Sequence, residues 1–114
     1  MALTKITSSV LGNDSVSYTK LGAEFTTQAA LAGTVLDFSL NSAFTATNSG
    51  VVTYTITNAN VSMVKDFYLN GTGSFLITGG LLISGEFVES VDNFIQIVAK
   101  SSSVFHYSIS QEII

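Results

Sequence analysis

The chain has no cysteine, no proline, no tryptophan and no arginine. Without cysteine, neither a disulfide framework nor a thiolate metal site is open to it, so the fold must rest on burial. Its only cationic side chains besides the single histidine are Lys5, Lys20, Lys65 and Lys100, scattered over 114 residues against eight acidic ones. No basic cluster is therefore available to displace counterions from nucleic-acid phosphate or to hold an anionic membrane. No run approaches the roughly 18 consecutive apolar residues of a membrane span. The segment Met1-Ala2-Leu3-Thr4-Lys5-Ile6-Thr7-Ser8 lacks the long apolar stretch of a secretory leader. Synthesis in the cytoplasm is the expectation.

Charge is scarce. Charged residues make up 11% of the chain, against about 25% in an ordinary soluble domain, and the mean hydropathy is +0.48. The length suits one domain with a single modest core. So small a body has much surface to keep wet. Abundant Ser, Thr and Asn supply part of that surface. Subunit contacts, whose centres are depleted in charge, are expected to hide another part. An oligomer follows from this balance.

Along the chain, residues 1–20 read as an extended arm with apolar points at Leu3, Ile6, Val10, Leu11, Val16 and Tyr18. Residues 21–32 are the one helical candidate. Leu21, Phe25, Ala29 and Ala32 recur at spacings of three and four, and Gly33 is a fitting stop. From residue 34 the period is two. Leu36, Phe38 and Leu40 form one face. Phe44 and Ala46 form another, and Val52, Tyr54 and Ile56 a third against Thr53, Thr55 and Thr57. Val61, Met63, Lys65, Phe67 and Leu69 share the next face, where Lys65 is expected to snorkel to water. Phe75 and Ile77 pair, and Phe105, Tyr107 and Ile109 close the series, with Ile113 and Ile114 as an apolar tail. Residues 81–83 and 94–99 are apolar on both sides and should be central in a sheet or lie under a neighbour. About eight short strands with frequent turn signals predict an all-β fold, an antiparallel β-sandwich of jelly-roll type over residues 21–114.

Little in the pattern points to catalysis. His106 faces away from Phe105, Tyr107 and Ile109, and a Ser-His-Asp set with Asp37, Asp66 or Asp92 lacks any local signature. Glu86, Glu89 and Asp92, beside Asn93, form the one acidic cluster. A solvated loop guarding a sheet edge is the plainer account, with a hard cation held by oxygens as the alternative. Gly71-Thr72-Gly73 leads into a strand and carries no following lysine, so it reads as a turn rather than a phosphate cradle. Asn-x-Ser/Thr matches at Asn13, Asn60 and Asn70 are expected by chance in so Ser- and Thr-rich a chain. Tyr54, Tyr68 and Tyr107 are candidate glycan contacts, able to stack on a sugar and bond its hydroxyls. No catalytic, metal or cofactor residue is assigned.

The order of several segments adds a resemblance. These include the opening Met1-Ala2-Leu3-Thr4-Lys5-Ile6-Thr7-Ser8-Ser9-Val10, Ser15-Val16-Ser17-Tyr18-Thr19-Lys20-Leu21-Gly22 and Glu24-Phe25-Thr26-Thr27. Leu36-Asp37-Phe38-Ser39, Val52-Thr53-Tyr54-Thr55, Asn93-Phe94-Ile95-Gln96-Ile97-Val98 and Ser108-Ile109-Ser110-Gln111 follow in turn. In this order the chain resembles a short β module of tailed-bacteriophage virion proteins, tail-fibre-like and capsid-appendage proteins among them. It departs in lacking a proline before Gly79-Gly80 and in having His106 where a tryptophan is frequent. The resemblance implies a non-enzymatic virion component without cofactor, commonly a homotrimer, such as a capsid decoration or cement protein or a small fibre subunit. Other capsid or tail proteins would be its partners. Residues 1–20 would be the docking arm, with Leu3, Ile6, Val10, Leu11, Val16, Tyr18, Ile113 and Ile114 at the interface. A receptor- or glycan-binding adhesin module of a tail fibre is the alternative.

Overall fold

The computed structural model describes residues 27–112. The arm 1–20, its interface residues Leu3, Ile6, Val10, Leu11, Val16 and Tyr18, and the tail pair Ile113 and Ile114 lie outside them. The described part is all-β, with no helix and nine strands in two sheets. In chain order these are β1 (Gln28–Ala30), β2 (Val35–Asp37), β3 (Ala43–Asn48), β4 (Val52–Thr57), β5 (Val64–Gly71), β6 (Phe75–Ile77), β7 (Gly80–Ser84), β8 (Asn93–Ala99) and β9 (Phe105–Gln111).

The architecture is a short β-solenoid, not an antiparallel jelly-roll sandwich. The chain steps back and forth between the sheets. β1, β3 and β5 lie side by side and parallel in one, and β2, β4 and β6 do so in the other. Thereafter β7 takes the far edge of the first sheet, parallel to β9. The antiparallel hairpin β8–β9 fills the space between β5 and β7, giving the order β1-β3-β5-β8-β9-β7. Alternation misled the sequence reading for a physical reason. A solenoid strand has one face on the core and one on water, so it alternates as an antiparallel edge does. The short connectors here turn the chain across to the opposite sheet instead of back along the same one.

The helical expectation for residues 21–32 also fails where it can be checked. Gln28–Ala30 is β1, with Ala29 in register with Phe44 and the Leu31 N–H donating to Thr45 O at 2.8 Å. Strand pairing here outweighs a weak helical stripe in which Thr26 and Thr27 already lower helix propensity.

The second coil stacks on the third with a constant offset. Ala43 pairs with Asp66, Asn48 with Gly71, Val52 with Phe75 and Tyr54 with Ile77, each 23 residues apart. Phe44 thus lies beside Phe67. The turns between the sheets stack as well. Thr72 N donates to Asn48 O at 3.1 Å, and Val52 N to Ser74 O at 3.2 Å. Gly50 and Gly73 share φ +81°, and a Cβ on Gly73 would lie 2.3 Å from the Gly50 carbonyl carbon. Inside this corner the Asn48 amide donates to Ser74 O at 2.9 Å and accepts from the Tyr54 hydroxyl. Both side chains are buried.

Between the sheets lies one core of Leu36, Phe38, Phe44, Phe67, Leu69, Ile95 and Ile97, with Phe75, Ile77, Phe105 and Ile109 around it. Phe38 bridges Phe44 and Phe105 at centroid distances of 6.3 and 6.1 Å. Tyr54 meets Phe67 edge-on at 5.0 Å. Most inward positions are those the alternation picked out. Leu40 and Val61 are exposed instead, because the strands stop short of them, and Lys65 is buried rather than carried out to water.

Candidate assembly surface

β7 is the largest departure from the sequence reading. The pattern of Leu81-Leu82-Ile83 predicts a strand that is central in its sheet or covered by a neighbour. It forms an edge strand, with the three side chains 54%, 49% and 62% exposed. Two glycines bring it there. Gly79 turns the chain at φ +76°, and its carbonyl accepts from Phe105 N at 3.0 Å. Gly80 passes so close to Ile77 and Tyr107 that an added Cβ would lie 2.8 Å and 3.0 Å from them. The pairing Leu81↔His106 and Leu82↔Tyr107 then skips a residue to Ser84↔Ser108, so Ile83 is a bulge. No charged residue and no proline occurs between Ile77 and Glu86. Native edge strands are usually blunted by such residues.

The outer face of the same sheet carries three rows. One runs Thr45, Tyr68, Phe94, Ser110, and the next Ala43, Asp66, Gln96, Ser108. The third, Val64, Val98, His106, Leu81, ends on the β7 edge. Tyr68 and Phe94 stack at 5.2 Å beside a shallow groove of about 860 Å³ that Gln28, Thr45, Thr47, Asn70 and Asp92 also line. Among the three tyrosines proposed as glycan contacts, Tyr68 alone is exposed on this face. Tyr54 is 2% exposed and belongs to the core, so its ring is not available to a sugar. Tyr107 is half-buried against Phe75, 5.7 Å away. Burial pushes both of these phenols above their ordinary pKa.

The acidic connection 85–92 is a bracket rather than a carboxylate cluster. Its hub is Asn93, fully buried at the start of β8. The Asn93 amide donates to the carbonyls of Val88 at 2.9 Å, Val91 at 3.0 Å and Leu69 at 3.1 Å. Its oxygen accepts from Val88 N at 2.9 Å and from Gln111 Nε2 at 2.7 Å. Glu89 accepts from Gly73 N and Asp92 from Asn70, both at 2.8 Å. The carboxylates thus tie the loop to the last coil at separate points, and Phe87 packs on Phe75 at 5.9 Å. Among the described residues no three His, Cys, Asp or Glu side chains gather as a metal site. The sequence placed Asn93 beside the cluster without its role. A buried amide between an acidic loop and an apolar strand was the available signal.

The aspartates weighed with His106 sit apart. Asp37 lies in the other sheet, where Ser39 and Asn58 bond it. Asp92 is on the bracket, and Asp66 is two strands from His106. No family model matches the chain, and neither a curated protein nor a solved structure is close enough to count as a relative.

Proposed function

We propose that the chain is a non-enzymatic structural subunit of a bacteriophage particle, a capsid decoration protein or small fibre component that packs against copies of itself and other virion proteins. The observation that carries the assembly part is β7, an uncharged apolar run set at a sheet edge in a chain so poor in charge. A strand of this kind offers unpaired backbone groups and apolar side chains together, the combination that subunit pairing uses. The phage setting rests on the order of segments set out above, which also supports a trimer docked through residues 1–20. Sedimentation velocity of the full chain tests the reading, together with its stoichiometry in purified particles. Oligomers and many copies per particle are expected. A monomer at every concentration that is also missing from particles would overturn it.

A second reading, a glycan-binding adhesin module, is favoured by Tyr68 alone. Its ring stacks on Phe94 at the lip of a groove whose amides, hydroxyls and carboxylate suit sugar hydroxyls. Glycan binding lost on Tyr68→Ala, with oligomerisation unchanged, would support it.

A further inference from the structure

We propose that two copies of this chain pair antiparallel along β7, about a twofold axis through Leu82. The proposal rests on the reading of β7 as an assembly surface given above; a twofold contact there is separate from the trimer contact ascribed to residues 1–20 and would join two such units. A twofold axis perpendicular to an edge strand sets it antiparallel to its own mate. The segment Gly79-Gly80-Leu81-Leu82-Ile83-Ser84-Gly85 suits that operation because it reads nearly the same in both directions. With Leu82 on the axis, Leu81 faces Ile83 of the second copy, Gly80 faces Ser84 and Gly79 faces Gly85. The nearest charge, Glu86, falls opposite Thr78 and not opposite another carboxylate.

Among the described residues the other sheet edges differ from it. β1, at the opposite end of the same sheet, presents Gln28 and Ala30. In the second sheet the edge strand β2 carries the carboxylate of Asp37, and the edge strand β6 has only three residues, with Phe87 packed on its Phe75. On β7, Leu81 lies beside His106 in the outer row that begins at Val64 and Val98, so pairing would continue that row onto Ile83 of the second copy. Leu82 borders the cleft lined by Phe75, Phe87 and Tyr107, where the two Leu82 side chains meet. The bulge at Ile83 is in the pairing with β9 and leaves the free edge on the other side of the strand.

The absence of native cysteine makes the test direct. Residues on the axis of an antiparallel pair have Cα atoms about 4.5–5.5 Å apart, within disulfide reach. Full-length Leu82→Cys, oxidised mildly, should run as a covalent dimer on a non-reducing denaturing gel. Val61→Cys, a still more exposed control away from β7, should not. Leu82→Lys sets two ammonium groups against each other on the axis. It should weaken the contact by about a hundredfold or more, halving the sedimenting mass with an unchanged circular dichroism spectrum. Failure of Leu82→Cys to cross-link, or equal cross-linking of Val61→Cys, overturns the pairing. So does an unchanged mass for Leu82→Lys; if the wild type is still oligomeric, another surface carries assembly and the broader reading survives.

Discussion

The coils from β2 to β6 and the hairpin β8–β9 bury the same alternating pattern by opposite means. In the coils, position matters along a column. Between the second and third coils a residue is constrained by whatever stands 23 places away, as Gly73 is by Gly50 and Asn48 by Gly71. In the hairpin, position matters across a ladder, and Ile95 and Ile97 are constrained by Ile109 and Tyr107 on the return strand. β5 belongs to both, parallel to β3 on one side and antiparallel to β8 on the other. The difference teaches that solvent-core alternation specifies a buried face but neither the direction nor the identity of the neighbour.

Changes at the seam test whether the two regions stand or fall together. Phe67, fully buried in β5, touches Tyr54 from the coils and pairs with Ile95 of the hairpin. Phe67→Ala should lower stability by about 4 kcal/mol in one cooperative transition. Two separate transitions in calorimetry would show the regions to be independent. Gly73→Ala should cost about 3 kcal/mol, since it combines a positive φ with a collision against backbone. Gly50→Ala has the same φ but open space around it, and should cost about 1 kcal/mol. Equal losses, measured by denaturant unfolding, would break the column picture.

Smaller effects sharpen the comparison. Asn93→Ala removes the hub of the bracket and strands several backbone groups, at about 2 kcal/mol. Hydrogen exchange should quicken over residues 86–92 while β3 and β4 keep their protection. The smallest change is expected at Asp37. The Ser39 hydroxyl foremost, then the Asn58 amide and the Ser39 N–H, hold its carboxyl below the ordinary value of 3.8. A depressed carboxylate stabilises the fold above its unfolded pKa, and that contribution is lost as pH falls through the folded value. Asp37 is near the surface, so the acid limb of the stability curve should flatten only slightly in Asp37→Asn.

Much of the inward face was legible in the sequence. Leu36, Phe38, Phe44, Tyr54, Phe67, Phe75, Ile77 and Phe105 all stand where alternation put them. The winding was hidden because the columns are geometric rather than literal. Ala43 stacks on Asp66 and Thr45 on Tyr68, so the 23-residue offset leaves few matching letters beyond Phe44 with Phe67 and Gly50 with Gly73. Of the two placements that the two-sided apolarity of Leu81-Leu82-Ile83 allows, the edge position of β7 removes the central one and leaves cover by a neighbour, because such a pattern signals coverage without saying by what. Alternation put Tyr54 inward, and its candidacy as a glycan contact assumed a hydroxyl in water, whereas the hydroxyl donates to the buried Asn48 amide.

The constant offset between the second and third coils makes the length of this molecule quantised. A tandem copy of residues 43–65, spliced in after Lys65, would supply one more strand to each sheet and displace the hairpin by a single rung of about 4.8 Å. The new turn would inherit the glycine that nests under its predecessor, so the rod could be lengthened in whole steps while its two ends kept their chemistry.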